Sequence, residues 1–269
     1  MTDNDYVHGY SAREHQRLRD QSQTLADLLH HDTAYPAGSR VLEAGCGVGA
    51  QTVILARNSP QARFTAIDAS PSSIATAQAA VASAGLRNVT FQVADILRLP
   101  FPEASFDHVF VCFVLEHLRQ PEAALRRLRA VLKPGGSLTV IEGDHGSTFF
   151  HPRSAAAWRT IQCLIDVQAA MGGNALIGRE LYPLVRRAGF REVAVSPRFV
   201  YADSSRPTWV AGFTRNTYIA MVEGARDQAL AAGLIDRPAW DKGIADLEAS
   251  AGPDGTFSYT FFKAVAVAP

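Results

Sequence analysis

Between residues 40 and 142, hydrophobic positions fall in short continuous runs that alternate with longer amphipathic stretches. Runs of this length bounded by turn residues predict buried strands, and the amphipathic stretches between them predict helices. The predicted strands are 40–44, 62–68, 88–94, 106–114 and 137–142. Strands and helices that alternate with short connections favour an α/β fold, in which a doubly wound, mostly parallel sheet carries helices on both faces.

After residue 142 the pattern changes. The segment 142–147, EGDHGS, is predicted as a glycine-punctuated loop, and residues 154–172 and 178–188 are predicted as helices. Residues 193–200 and the alternating tail Thr256–Ala268 are predicted as two further strands. We expect the tail to form an antiparallel edge strand, which makes the sheet seven-stranded.

Composition narrows the class of protein. The 269 residues are 47% hydrophobic and 19% charged, which is enough apolar material for one large domain or a core with a smaller cap. A formal net charge of zero argues against general affinity for nucleic acid. The three cysteines are scattered and predict neither a disulfide framework nor a zinc site. Without a secretory signal or an apolar run of about 18 residues, we expect a cytoplasmic protein that stays off membranes.

Polar residues follow three successive predicted strands. The first strand ends in Glu43-Ala44-Gly45-Cys46-Gly47-Val48-Gly49, the second in Asp68, and the third in Asp95-Ile96. Ligands of parallel sheets bind beyond the carboxyl ends of the strands. A carboxylate just before the glycines disfavours a pyrophosphate and favours a cationic or amino-bearing ligand. Asp68 can accept ribose hydroxyls, and Asp95 with the Ile96 N–H can bind an adenine edge.

Four stretches, VLEAGCGVG, FTAIDAS, VADILRLPFPEASFDHVFVCFVLEHL and LKPGGSLTVIEGD, together resemble the class I S-adenosylmethionine (SAM)-dependent methyltransferases. They cover residues 40–144 and are similar to the small-molecule, ubiquinone/menaquinone-methyltransferase-like group with an N-terminal lid helix. The resemblance implies a Rossmann-like fold, SAM as cofactor and S-adenosylhomocysteine (SAH) as product. It divides the chain into a lid helix (1–35), a SAM-binding core (36–146) and a helical substrate cap (147–269) interleaved with the last helix and strands of the core.

The resemblance also assigns cofactor-binding residues. The glycines would line the methionine and ribose portion, Glu43 would orient the amino-acid end, and Cys112 and Phe113 would lie against the methionine. Near the N-terminus, Tyr10, Arg17 and Gln21 are spaced to share one helix face over the cofactor, although a solvated amphipathic helix has the same pattern. The complete implied set is Tyr10, Arg17, Gln21, Glu43, Gly45, Gly47, Gly49, Asp68, Ala69, Asp95, Ile96, Cys112, Phe113 and His117.

His145 and Asp144 are the candidate catalytic residues. Methyl transfer depends mainly on alignment, and a base is needed only if the acceptor must lose a proton. His145 is the preferred base because histidine titrates near neutrality, and Asp144 could orient it or bind a substrate amine. A metal site and a plain loop remain open for EGDHGS, and His151, His8 and Glu14 are lesser base candidates. The candidate substrate-binding aromatics, which could equally pack the cap's own core, are Phe149, Phe150, Trp158 and Trp209, with Phe213 and Tyr218 as further aromatics of the same cap.

Missing motifs restrict the acceptor. The chain has no N/D-P-P-Y/F segment after strand four, no Pro-Cys nucleophile and no Asp-Asn pair after strand five. We therefore expect a monomer or homodimer that methylates N, O or C of a small aromatic or heterocyclic metabolite, a bacterial natural product being one option. The alternatives are a quinone-precursor C-methyltransferase and a SAM-binding protein without transferase activity; the glycine spacing disfavours a nucleotide-linked dehydrogenase.

Overall fold

The computed structural model describes residues 24–269, which form a seven-stranded sheet in the order β3-β2-β1-β4-β5-β7-β6. Strands β1 to β5 pair in parallel, whereas β7 runs antiparallel to both of its neighbours. The predicted Rossmann-like, mostly parallel sheet with an antiparallel last strand is therefore confirmed. The strands are β1 Arg40–Ala44, β2 Arg63–Asp68, β3 Val89–Val93, β4 Phe106–Cys112, β5 Leu132–His151, β6 Arg191–Asp203 and β7 Thr256–Val267.

Helices connect and cover these strands. Several begin where a side chain caps the first turn; Ser70 accepts a hydrogen bond from the Ser73 N–H at 3.2 Å, with Pro71 as the first helical residue. The helices are α1 (24–30), α2 Ala50–Asn58, α3 Pro71–Ser83, α4 Pro121–Val131, α5 Ala155–Ala170, α6 Leu181–Arg187, α7 Pro207–Trp209, α8 Ala220–Gly224, α9 Arg226–Ala231 and α10 Arg237–Ala249. A π-helical segment, Val210–Ile219, joins α7 to α8, and short 3₁₀ turns cover Leu115–His117 and Ile177–Glu180.

The core lies on both faces of the sheet. Successive residues of β1 alternate between the faces, so that Val41 joins one cluster of buried side chains and Leu42 the other. Helices α1, α2 and α5 and the π-helical segment contribute to the first cluster, and α4 and α6 contribute to the second. Burial on both faces is what the apolar strand sequences predict.

The loop predicted for EGDHGS is wrong. Strand β5 continues past Glu142 to His151, and it pairs with β7 at Gly143–Phe261 and Asp144–Thr260. The pairing register shifts between Asp144 and Phe149, so the segment is an irregular part of a strand. The side chains of Asp144 and His145 are therefore fixed by a sheet rather than carried on a mobile connection.

The edge position predicted for the last strand is also wrong. Strand β7 lies between β5 and β6, and β3 and β6 form the two edges of the described sheet. Its side chains are accordingly buried even at polar positions, including Tyr259 and Lys263, each 2% exposed. Within residues 24–269, none of the helices combines the length and the apolar character that a bilayer span requires.

Candidate active site

The glycine-rich loop between β1 and α2 meets different neighbours at each glycine. A Cβ on Gly45 would lie 2.4 Å from Val114 Cγ2, and one on Gly49 would lie 2.9 Å from the Ala77 Cα. Gly47 also has a positive φ, +50°, but no atom of the described residues 24–269 lies within 4 Å of a Cβ added there. The outer two glycines therefore allow close packing within the protein, whereas the middle one leaves space where a ligand can approach the backbone.

Asp68, at the end of β2, is attached to this loop. Its Oδ2 accepts the Gly47 N–H and its Oδ1 accepts the Ser70 N–H, both at 2.9 Å. Burial raises the pKa of Asp68, while the hydrogen bonds from the backbone favour its charged form. Each carboxylate oxygen retains a lone pair, so the group can still accept hydroxyl donors.

Glu43 is a buried acid with spare hydrogen-bonding capacity. It is 2% exposed, and burial together with the nearby Asp68 carboxylate raises its pKa to about 8. Among the residues that the structure describes, its Oε2 has no hydrogen-bond partner. An oxygen of this kind beside the open space at Gly47 fits an amino-bearing ligand such as SAM, whose ammonium would satisfy it and favour the ionised form.

Asp95 and Ile96 follow β3, next to Asp68. The Ala94 N–H donates to the Asp68 carbonyl oxygen at 3.0 Å, which joins the ends of β2 and β3. Asp95 Oδ1 accepts the Leu97 N–H at 2.9 Å, so a turn fixes this carboxylate. The strand-end acids that the sequence singled out are thus brought to one edge of the sheet, with Ala69 between Asp68 and Ser70.

The end of β4 turns sharply beside the glycine loop. Phe113 has φ +57°, its N–H donates to the Ile141 carbonyl oxygen at 2.9 Å, and its ring lies 5.3 Å from that of Phe261. Burial raises the pKa of the adjacent Cys112 thiol well above its usual range, so this cysteine is an apolar lining residue rather than a nucleophile. The His117 ring nitrogen Nε2 lies 3.6 Å from the Glu116 carboxylate.

His145 is held by two tyrosines: Tyr218, one of the cap aromatics that the sequence singled out, and Tyr259, which it did not. It is 3% exposed; its Nδ1 lies 2.8 Å from the Tyr259 hydroxyl, and its ring packs edge-on against Tyr218 at 6.0 Å. The Tyr218 hydroxyl in turn lies 2.7 Å from the Thr148 hydroxyl. Both tyrosines are far from His145 in sequence, and only the alternation of the tail indicated that Tyr259 lies in a strand.

Asp144 makes a different contact from the one expected. Its two carboxylate oxygens accept hydrogen bonds from Arg179 Nε at 2.8 Å and Nη2 at 2.7 Å. The carboxylate is buried while the arginine is about half exposed. Tyr259 therefore provides the hydrogen bond at Nδ1 of His145, and Asp144 joins β5 to the 3₁₀ turn Ile177–Glu180.

The four aromatic residues predicted to bind substrate do not form one cluster. Phe149 is 68% exposed, Phe150 packs on Trp158 at 5.8 Å, and Trp209 packs against Ala202 and its neighbours at the sheet end. The rings that contact His145 are instead those of Tyr218 and Tyr259, and Phe213 and Phe261 pack in turn against Tyr259. Tyr10, Arg17, Gln21, His8 and Glu14 lie outside the described residues. Within 24–269, no group of three or more His, Cys, Asp or Glu side chains is arranged to hold a metal ion.

The chain is similar in sequence to known methyltransferases. Residues 41–136 match the family model of a methyltransferase domain. The 27-O-demethylrifamycin SV methyltransferase of Amycolatopsis mediterranei is 28% identical over 83% of this chain and 76% of its own length. The O-methyltransferase resE of Aspergillus sclerotiorum is 31% identical over 58% of this chain and 56% of its own length. The chain spans little more than half of several curated relatives, with shares of 54%, 56% and 60%.

Solved structures extend the likeness over most of the chain. The [4+2]-cyclase SpnF is 26% identical, with a TM-score of 0.58 over 91% of this chain and 80% of its own. A phosphoethanolamine N-methyltransferase of Haemonchus contortus, solved with SAM, is 19% identical, with a TM-score of 0.57 over 92% of this chain and 52% of its own. The second likeness shows the fold alone.

Proposed function

We propose that this chain, which is similar to class I SAM-dependent methyltransferases in its family-model match, its relatives and its fold, transfers the methyl group of SAM to N, O or C of a small aromatic or heterocyclic metabolite. The observation that carries the proposal is the open backbone at Gly47, whose N–H donates to the partly buried Asp68, in the loop that follows the buried Glu43. The relatives named for rifamycin and resE support a natural product as the acceptor. Acceptor atom and substrate are part of the proposal.

In this proposal the cofactor contributes an electrophilic methyl on its sulfonium, and the chain binds and orients it. Glu43 accepts the ammonium of the methionine portion, Asp68 accepts the ribose hydroxyls, and Gly47 leaves room for close approach of the backbone. The remaining residues proposed to contact the cofactor are Tyr10, Arg17, Gln21, Gly45, Gly49, Ala69, Asp95, Ile96, Cys112, Phe113 and His117.

His145 is the proposed acid–base group on the acceptor side. Its hydrogen bond to Tyr259 and its edge contact with Tyr218 fix the ring, so any proton it accepts is taken at a defined position. Asp144, held by Arg179, keeps this part of β5 in place. The aromatic residues around His145 suit a flat or apolar acceptor; Phe149, Phe150, Trp158 and Trp209 remain candidates for the outer part of the pocket.

One observation favours a second candidate function. SpnF, which matches over most of this chain, is named for a cyclisation rather than for methyl transfer. A protein with this fold that binds SAM without transferring its methyl group is therefore the alternative. Measurements of binding and of transfer separate the two.

Calorimetry with SAH tests the cofactor site. The wild-type protein should bind SAH, and Asp68→Ala should abolish binding because it removes the acceptor for the ribose hydroxyls and for the Gly47 N–H. Asp107→Ala is the matched control, since Asp107 also accepts a backbone N–H, that of Arg40 at 2.8 Å, but lies at the amino end of β4. It should retain wild-type affinity. Absence of SAH binding to the wild type would contradict the proposed function.

Transfer of labelled methyl from SAM to pooled aromatic metabolites tests the reaction. If an acceptor is found, His145→Ala should lower kcat by about 10²-fold while SAH affinity stays unchanged, since general acid–base groups contribute factors of about 10² to 10⁴. An unchanged kcat would assign His145 a structural role only. Binding of SAH with no methyl transfer to any acceptor would support the alternative.

A further inference from the structure

Glu142 lies where the first apolar run of β5 ends, and it connects two strand ends. Its side chain is fully buried, at 0% exposed. Its Oε1 accepts the N–H of Val114 at 3.1 Å and the N–H of Leu115 at 2.7 Å. These donors begin the 3₁₀ turn Leu115–His117 and have no carbonyl partner in a helix, so the carboxyl caps the turn that follows β4.

The capped turn contains an unfavourable backbone conformation. Phe113 has φ +57°, and the left-handed region is sterically unfavourable for a residue with a Cβ. Such a conformation persists only when its surroundings fix it. Here the Ile141 carbonyl holds Phe113 from one side, and Glu142 holds the next two residues from the other.

The same turn supports the glycine loop. Val114 Cγ2 occupies the space into which a Cβ on Gly45 would project, at 2.4 Å. The Gly45 N–H and the Cys46 N–H both donate to the Ile67 carbonyl oxygen, at 2.8 and 2.9 Å, so the loop lies between β2 and the Val114 side chain. Movement of Val114 would leave one side of this loop unsupported.

We infer that Glu142 is a positioning residue for the cofactor site: by holding the turn 113–115 it fixes Val114 against Gly45, and through that contact it keeps the glycine loop in its binding conformation. The inference rests on the proposed function, because it takes the glycine loop as the part of the chain that holds SAM. Glu142 acts through Val114, and nothing in the contacts of its carboxyl requires it to touch the reacting atoms.

The protonation state of Glu142 suggests a conservative variant. Burial, and then the nearby Glu116 carboxylate, hold the pKa of Glu142 well above its usual range, and its Oε2 has no hydrogen-bond partner among residues 24–269. Burial therefore disfavours the charged form of this carboxyl, and its Oε1 serves as the hydrogen-bond acceptor. Glutamine has nearly the same shape and retains an acceptor oxygen, whereas leucine fills the space and offers none.

Three variants test the inference through SAH affinity, the KM for SAM, kcat and the melting temperature. Glu142→Leu should raise the SAH Kd and the SAM KM about tenfold or more, as expected if the competent loop conformation falls to a tenth of the population. Its kcat at saturating SAM should change much less. Glu142→Gln should stay within about twofold of the wild type. Thr139→Val, which alters another buried polar side chain three residues earlier on β5, should lower stability without changing the Kd.

Val114→Ala covers the case in which Glu142→Leu does not fold. It keeps the backbone N–H that Glu142 binds and removes the side-chain atoms next to Gly45, so it should fold and should weaken SAH binding. Wild-type affinity in Val114→Ala would overturn the inference. A folded Glu142→Leu with wild-type affinity, or a Glu142→Gln as weak as Glu142→Leu, would overturn it too. If the wild type itself does not bind SAH, the proposed function fails instead.

Discussion

At the scale of single residues, positive φ has two different uses in the loop after β1. Gly45 and Gly49 have φ near +80° and neighbours that exclude a Cβ, whereas Gly47 has φ +50° and open space. The first two are needed for packing within the protein. Glycine is needed at position 47 because a ligand approaches the backbone there. Its substitution should therefore weaken ligand binding more than it lowers the stability of the fold.

We expect Gly45→Ala and Gly47→Ala to differ. Gly45→Ala combines left-handed strain with a clash against Val114 and should lower the free energy of unfolding by about 2–4 kcal/mol. Gly47→Ala should lower it by only about 1–2 kcal/mol, yet weaken SAH binding by about tenfold or more. Urea denaturation and calorimetry measure the two quantities.

Gly38→Ala is the control for this comparison. Gly38 has φ +78° and no described residue within 4 Å of an added Cβ, but it lies before β1 at the opposite end of the strand. Gly38→Ala should lower the free energy of unfolding by as much as Gly47→Ala does, while its SAH affinity stays at the wild-type value. If Gly47→Ala binds SAH as tightly as the control Gly38→Ala, no ligand lies against Gly47.

At this scale the sequence predicted strand-end residues well and their partners poorly. Asp68 and the glycine loop come together because parallel strands present their carboxyl ends at one edge, which follows from the chain order alone. The contact of His145 with Tyr259, and that of Glu142 with Val114, join residues whose pairing depends on sheet order and register. No local pattern specifies those contacts.

At the scale of elements, β5 shows why the predicted loop at EGDHGS failed. Gly143, Gly146 and the polar residues between them have the composition of a turn. Pairing with β7 on both sides of residues 145–148 keeps the segment within a strand, and this partner lies more than a hundred residues away in the chain. Tertiary pairing overrides local preference, as is common for strands.

The Asp144–Arg179 pair joins β5 to the 3₁₀ turn Ile177–Glu180, and its two partners should not be equivalent. Arg179→Met leaves a buried carboxylate without its cation and should cost about 1–3 kcal/mol of unfolding free energy. Asp144→Asn should cost less, because the half-exposed arginine can turn to water. Urea denaturation of both single variants measures the difference.

The double variant completes this test. Asp144→Asn combined with Arg179→Met removes both charges, so it should recover part of the loss caused by Arg179→Met alone. If the double variant loses as much unfolding free energy as the two single variants together, or more, the pair does not interact in the way the two hydrogen bonds indicate.

At the scale of the whole molecule, the α/β class, the parallel core and the seven strands followed from hydrophobic patterning, but the position of β7 did not. Its sequence includes Ser258 and Thr260 on one face and Lys263 on the other, and polar residues of this kind are typical of a strand that borders water. Lys263 is nevertheless 2% exposed, because its Nζ donates to Asp32 at 2.5 Å and to Thr33 at 2.6 Å. A buried and paired lysine cannot be distinguished from a solvated one in the sequence.

Stability of the whole molecule should depend on pH through Glu43. Burial raises its pKa to about 8 in the folded protein, against an ordinary value of 4.5, so between these values the folded state binds more protons than the unfolded state. The contribution of Glu43 to the free energy of unfolding therefore falls as pH rises through this window, by up to about 1.4 kcal/mol per pH unit. Glu43→Gln, which does not titrate, should gain stability relative to the wild type from about pH 5 to about pH 8. Parallel pH profiles of the two proteins in urea denaturation would show that Glu43 is ionised when folded.

The place of β7 in the sheet constrains the order in which the chain can assemble. Strand β6 pairs only with β7 within the described sheet, and residues 204–255 separate the two strands. The parallel strands β1 to β5 can associate first, but β6 cannot join them until β7 has been inserted between β5 and β6. Until that step both β5 and β6 have an unpaired edge, so a nascent or refolding chain is most exposed to aggregation there. A chaperone that recognises extended apolar segments would therefore bind this intermediate, in which β5 and β6 are still unpaired along one edge.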